Sequence, residues 1–319
     1  MMRKYDVLTM GEALVDFVPE ENRVPGPYRA LAGGAPNNVA CGLGKLGARV
    51  ALLARVGDDA LGRCVIDTAG ECGVDTSYIQ TDRRRVTTVT VVMPRSEDMT
   101  RYAIYRKESA DGALTFEDIP TELFDNAKIL HYGSLGMAEK TSSECMGRAI
   151  RRAREKGMTT SLDVNLRPGS WDSRDEMISR CRELVRVSDI IKLTKEEAEI
   201  LRLNPRKLAA EEDKIVLVTD GAETASVYAG KLSVSRRPEA VEAVDVTGGG
   251  DSFMSAFLYY YGAFAEKMEA EEFYANAVDF AVRASTIAVQ RYGAIDSLPT
   301  LEEICEKGGG MPNESDCCR

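Results

Sequence analysis

Residues 245–258 read DVTGGGDSFMSAFL: three consecutive glycines, an aspartate, then an uncharged and mostly apolar run. Glycine lets the backbone reach positive φ and approach a ligand closely, and the run that follows starts a helix whose first amides have no partner within it. Those amides, with the helix dipole, suit an anion such as a phosphate. Asp251 would repel a phosphate at rest. It makes sense as a base, taking a proton from a hydroxyl whose oxygen attacks a phosphoryl group while the amides of Gly248, Gly249 and Gly250 stabilise the developing charge. A glycine hinge with Asp251 as helix cap explains the same letters, and the stretch alone leaves both readings open.

The rest of the chain supplies a frame. Short aliphatic or β-branched runs, YDVLTM (5–10), RVALLA (49–54), KILHY (128–132), TTSLDV (159–164), DIIKL (189–193) and KIVLVT (214–219), read as strands. Between them lie helical patterns such as DALGRCVIDTAGECG (59–73), TSSECMGRAIRRAREKG (141–157) and TKEEAEILRL (194–203). Strands alternating with helices mark βαβ units around a mainly parallel sheet, an α/β fold. Two regions break the rhythm, ALVDFVPE (13–20) and the pair TTVTVVM (87–93) and TRYAIYR (100–106) joined by PRSEDM. They read as antiparallel strands of a small second sheet. After Asp251 the pattern is helical, as in AEEFYANAVDFAVRASTIAVQRYG (270–293). Residues 1 to about 306 are expected to form one unit, and residues 307–319 a disordered tail without apolar period.

Composition narrows the function. A net charge of −10 over 319 residues argues against a sequence-independent grip on nucleic acid. Eight cysteines without a C-x2-C pair suggest reduced thiols in a cytosol rather than a disulfide framework or zinc site. The N-terminus meets Glu12 and Asp16 too early for a signal peptide, and the uncharged, mostly apolar run SFMSAFLYYYGAFA is short of a membrane span. A soluble cytoplasmic protein is expected.

A second glycine cluster opens GGAPNNVACGLGKLGARVALLARVGDD (33–59), with Asn37 and Asn38 close behind Gly33 and Gly34. Asparagine donates and accepts together, which suits sugar hydroxyls, though loop and cap chemistry explains these residues equally. Taken with DVTGGGDSFMSAFL, the stretch GGAPNNVACGLGKLG resembles the paired signatures of the ribokinase-like carbohydrate kinases, the phosphofructokinase B family, in the expected order and separation. The segments RYAIYRKESADGAL, SLDVNLRPGSW, KLTKEEAEIL, VTDGAETASVY and RYGAIDSLPT resemble fructokinases in particular.

The resemblance implies a three-layer α/β/α domain with a small β lid, from segments near 13–33 and 86–107, that closes over a sugar and excludes water. It implies transfer of the γ-phosphoryl group of ATP to a sugar hydroxyl, with Asp251 as base and Gly248, Gly249 and Gly250 as anion hole. Asp16, Gly33, Gly34 and Asn38 match sugar-contacting positions, and Arg106 and Arg167 lie in segments lining the same pocket. Thr219 and Gly221 match the nucleotide phosphate region, Thr194 stands where ribokinases proper place asparagine, and Asn276 matches an adenine-side position. Glu197 is tied by the resemblance to Mg2+ and phosphate, and Asp245 and Thr247 to a monovalent cation such as K+. A homodimer through the lid is also implied. The chain departs from the family at Gly249, where alanine is usual, and at Val246, where threonine is. Gly249 keeps its amide, so restoring alanine is expected to keep activity.

Other features carry less. GLGKLG (42–47) fits a dinucleotide pattern but lies inside a helical stretch with no strand immediately before it. His131, the single histidine, follows an apolar strand and reads as structural; Trp171 reads as packing, and the arginines at 83–85 as a solvated turn. The expected substrate is fructose, with 2-keto-3-deoxygluconate or another small sugar as the alternative. A sugar-binding protein that keeps the fold without catalysis is the reading from a different class, and an intact Asp251 argues against it.

Overall fold

A computed structural model of the chain describes residues 3–20, 26–93 and 102–307. Its strands are β1 (Tyr5–Met10), β2 (Leu14–Pro19), β3 (Tyr28–Gly33), β4 (Val50–Gly57), β5 (Ile79–Asp82), β6 (Val89–Val92), β7 (Tyr102–Tyr105), β8 (Ala127–Gly133), β9 (Thr159–Asp163), β10 (Ile190–Thr194), β11 (Ile215–Thr219), β12 (Ala225–Ala229) and β13 (Leu232–Arg236). Its helices are α1 (Ala35–Lys45), α2 (Ala60–Glu71), α3 (Lys140–Glu155), α4 (Arg174–Val187), α5 (Lys195–Ile200), α6 (Pro205–Glu212), α7 (Gly249–Phe264), α8 (Ala270–Ala288) and α9 (Leu301–Lys307).

The main sheet runs β13-β12-β11-β10-β9-β8-β1-β4-β5, parallel from β11 to β5, with β12 and β13 antiparallel at one edge. Alternate strand residues enter two cores. Val7, Leu52, Ile129, Ile190 and Leu217 join one that includes residues of α1, α7 and α8; Leu8, Leu53, Leu130, Ile191 and Val216 join another that includes residues of α3 and α4. Strands covered on both faces read as continuous apolar runs, which is why VALLA and the apolar letters around Lys192 stood out in the sequence.

The second sheet has the order β3-β2-β6-β7. It departs from the antiparallel expectation in one pairing: β2 and β3 are antiparallel, β6 and β7 are antiparallel, but β2 and β6 run parallel. Two locally formed antiparallel pairs have met side by side through their first strands. The turn at 94–99 and, apart from Lys307, the tail at 307–319 lie outside the described residues.

From β1 the chain goes to β4 and β5 on one side, then crosses back to β8 on the other. The carboxyl ends of β1 and β8 therefore flank a topological switch point, the place where open α/β sheets leave a crevice for ligands. No helix among the described residues is long and apolar enough to cross a membrane. The six described cysteines are free thiols.

Candidate active site

A cavity of about 210 Å³ opens at that switch point. Glu12 beyond β1, Asp16 of β2, Gly34 and Asn38 at the start of α1, Arg167 beyond β9, Lys192 of β10 and the start of α7 all line it. Leu14, Asp16 and Val18 share one face of β2 by the two-residue repeat, and with Thr90, Val92 and Ile104 they make the small sheet one wall. Gly34 caps α1 with φ 99°, and a Cβ there would sit 2.5 Å from the Glu12 carbonyl oxygen. A Cβ on Gly33 would collide with the Asp16 carboxylate, so Gly33 supports the site without lining it. The two asparagines divide the work. Asn37 is buried and donates to the Gly33 carbonyl at 3.1 Å, whereas Asn38 Nδ2 donates to Asp251 Oδ2 at 2.8 Å and its Oδ1 has no partner among the described residues.

The start of α7 brings the glycines to the cavity. Gly248 is the N-cap at φ 79°, left-handed, where a side chain would also press 2.8 Å from the Ala294 carbonyl oxygen. Among the described residues the amides of Gly250 and Asp251 have no acceptor. Burial pushes the Asp251 carboxyl above its ordinary pKa, against the hydrogen bond from Asn38 and the charges of Lys192 and Arg167. Burial likewise pushes Asp16 up to about 6, against a hydrogen bond from Thr90 and the charge of Arg167. A carboxylate held at raised pKa beside free amides is a better base than one in water.

Lys192 Nζ bonds both oxygens of Asp163 at 3.1 and 2.8 Å, and the two residues are cross-strand partners in β9 and β10. Burial disfavours its ammonium, but the carboxylates of Asp163, Glu197 and Asp251 outweigh this and raise its pKa. A Cβ on Gly250 would lie 2.9 Å from Nζ, so the cation stands at the glycine turn itself.

Beyond that turn a second cavity of about 550 Å³ is lined by Thr194, Thr219, Gly221, Gly249 and one face of α8, Val282, Ser285, Thr286 and Val289. It shares Lys192, Val246 and Gly250 with the first. The glycine turn and one lysine thus stand where two cavities meet, an arrangement suited to passing a charged group from one ligand to another.

Several sequence expectations land elsewhere. Asn276 is not on the groove: Val282, Ser285, Thr286 and Val289 follow the i, i+3, i+4, i+7 spacing of one helix face, and Asn276 falls off it, on the side of Tyr260. Arg106 is not on the cavity wall either; it is buried, with Nε donating to Asp111 Oδ2 at 2.6 Å. Glu197 lines neither cavity. Its Oε1 accepts from the Leu166 amide at 2.6 Å and its Oε2 from the Thr194 amide at 2.8 Å, a capping box that fixes the end of β10. Asp245 and Thr247 do line the first cavity, with Asp245 accepting from the amides of Thr247 and Gly293. His131 is neutral and structural: burial, then the charge of Lys192, hold its pKa down to about 3, and Nδ1 meets Ser161 Oγ. Trp171 packs against the core.

Lys192, Asp163 and Glu12 were missed. Their signal is a charge inside or ending an apolar strand run, in DIIKL, TTSLDV and TMGEAL. Such a charge must be paired or functional if the strand is buried on both faces.

Residues 4–301 match the pfkB family carbohydrate kinases. The chain belongs to that family. Among relatives, this pfkB-family kinase is 31% identical over 311 residues to fructokinase-1 of Zea mays, covering 94% of this chain and 96% of that protein. A fructokinase of Xylella fastidiosa with bound ATP superposes with a TM-score of 0.85 at 27% identity, over 95% of this chain and 98% of that one. A double mutant of a Vibrio cholerae O395 fructokinase, in a form binding fructose, ADP and potassium ion, gives the same TM-score, identity and coverage. The three-layer α/β architecture with its small sheet is the one these proteins share.

Proposed function

We propose that this carbohydrate kinase moves the γ-phosphoryl group of ATP to a hydroxyl of fructose, with Asp251 as the base. The observation that carries the reading is the position of Asp251. It lines the first cavity from the first turn of α7, beside the unbonded amides, where the second cavity begins. Fructose would occupy the first cavity against Asp16, Asn38 and Asp251, and ATP the second, its phosphates reaching Thr219, Gly221 and the glycine turn. Asp251 takes the hydroxyl proton as the sugar oxygen bonds to the γ-phosphorus. The bond from that phosphorus to the β,γ-bridging oxygen breaks, and ADP leaves with the electron pair. The amides of Gly250 and Asp251 and the ammonium of Lys192 offset the charge in transit.

Among the described residues no group of three or more His, Cys, Asp or Glu side chains is placed to hold a metal. That fits Mg2+ carried on the nucleotide phosphates, which ordinarily adds only one or two carboxylates. Glu197 would act on it from behind, through the backbone it fixes. Asp245 and Thr247 would hold a monovalent cation such as K+ beside the anion hole. We also read the small sheet as a lid whose outer face pairs with a second copy: Tyr105 stands there 66% exposed, on the opposite side of β7 from the cavity-lining Ile104. The free thiols are in keeping with a cytosolic home.

The test is ADP production with a panel of sugars, in wild type and in Asp251→Asn. The substitution keeps an oxygen able to accept from Asn38 but removes the base, so turnover falls by about 10² to 10⁴. Turnover near wild type refutes the base; no sugar stimulating ADP release refutes the kinase reading and leaves sugar binding alone.

A further inference from the structure

Among the described residues, two acceptor atoms on the wall of the first cavity have no partner, Asn38 Oδ1 and Glu12 Oε2. Asn38 belongs to the reading above, but Glu12 does not. Glu12 is 4% exposed, and a buried carboxylate oxygen without a donor is costly unless a ligand supplies one. The charges that face it are Arg106 beyond β7, Asp111 in the following turn and Arg167 beyond β9.

Arg106 is the cation that a sugar acid would need there, but it does not line the cavity and its Nε is engaged, leaving a buried Nη1 without a partner among the described residues. Its Nε holds Asp111 Oδ2, while the hydroxyls of Thr88 and Ser109 hold Asp111 Oδ1, and both ends of the pair are buried. The cavity wall itself carries Glu12, Asp16, Asp245 and Asp251 against Arg167 and Lys192, and Lys192 is paired with Asp163. An entering carboxylate would meet mostly its own sign in a confined space, where repulsion is screened weakly. A neutral sugar brings hydroxyl hydrogens, which Glu12 Oε2 lacks.

Resting on the kinase reading, we propose that Glu12 determines the class of acceptor: its unpartnered oxygen accepts a hydrogen bond from a hydroxyl of a neutral sugar, and its charge, with the other carboxylates of the cavity wall, turns away sugar acids. Glu12 thus acts on binding rather than on the proton transfer, and its removal separates KM from kcat.

The test measures kcat and KM for fructose and for 2-keto-3-deoxygluconate in wild type, Glu12→Gln and Glu12→Ala, with the melting temperature of each. Assays run at about pH 8, above the value of about 7 to which burial pushes the Glu12 carboxyl, so that it is charged. Glu12→Ala should raise the KM for fructose about 10- to 100-fold with a smaller change in kcat. In both variants the preference for fructose over the acid should fall by about tenfold or more. An unchanged preference, whether both sugars suffer equally or neither does, overturns the inference, and Glu12→Gln, which keeps the shape, decides if Glu12→Ala does not fold. Wild type that prefers the acid also overturns it. Wild type that phosphorylates no sugar refutes the kinase reading instead.

Discussion

Gly249→Ala restores the residue that the family usually carries, and in this chain it should be harmful. A Cβ on Gly249 would lie 2.9 Å from Val289 Cγ1 and 3.6 Å from Ser285 Oγ. Carbon atoms prefer about 3.5 to 4.0 Å, so α7 or Val289 must give by half an ångström or more. Overpacking of this kind costs about 1 to 3 kcal/mol, less the roughly 0.5 to 1 kcal/mol that alanine gains over glycine in a helix. The larger effect falls on turnover. The displaced helix end carries the free amides and Asp251, and a shift of about 1 Å in such groups costs about a hundredfold, so half of that suggests roughly tenfold in kcat. Val289→Ala removes the clashing methyl, and the pair of substitutions together should regain most of the activity. The assay is a double-mutant cycle, following kcat by ADP release and stability by urea unfolding. A Gly249→Ala effect that is the same in both backgrounds, within about 0.5 kcal/mol, refutes the steric account. Retained activity in Gly249→Ala alone refutes it too, and would restore the simpler expectation drawn from the sequence.

Two further outcomes are expected. Asp16, pushed up to about 6 by burial, and Asp251, also raised, must both be ionised, one to accept from the sugar and one to accept the proton. Activity is therefore full above those values and lost as pH falls through them, and kcat/KM for fructose that stays flat down to about pH 4.5 refutes the assignment. The chain should sediment at twice its own mass, and Tyr105→Glu should halve it; a wild type that sediments as a single chain refutes pairing through the outer face of the small sheet.

Strands buried on both faces were legible because their letters stay apolar in either phase, as in β4 and β10. The strands β5, β12 and β13 were not legible. They lie at or near sheet edges and carry polar letters: LSVSR alternates between half-buried and exposed positions, and IQTD is half-buried or exposed up to a buried Asp82. The glycine turn was legible because its backbone demands leave glycine in the sequence. Lys192 and Asp163 were hidden for the opposite reason: each reads as an isolated charge, and only the register of β9 against β10 makes them a pair. For Asn276 the sequence showed an amide on a helix but not the phase of that helix against the groove. Arg106 was promoted to the pocket because nothing in its letters tells that Asp111 closes on it.

The place of β1 in the sheet has a consequence for synthesis of the chain. β1 is made first but sits between β4 and β8, so one of its edges stays open until residues 127–133 have left the ribosome. An open edge of apolar strand in a growing chain invites pairing with other chains. The helix that carries Asp251 comes later still and packs on α1, which was made near the start. A chain stalled before α7 would hold most of its sheet while lacking the base and the glycine turn, so that chemistry arrives only with the last quarter of translation.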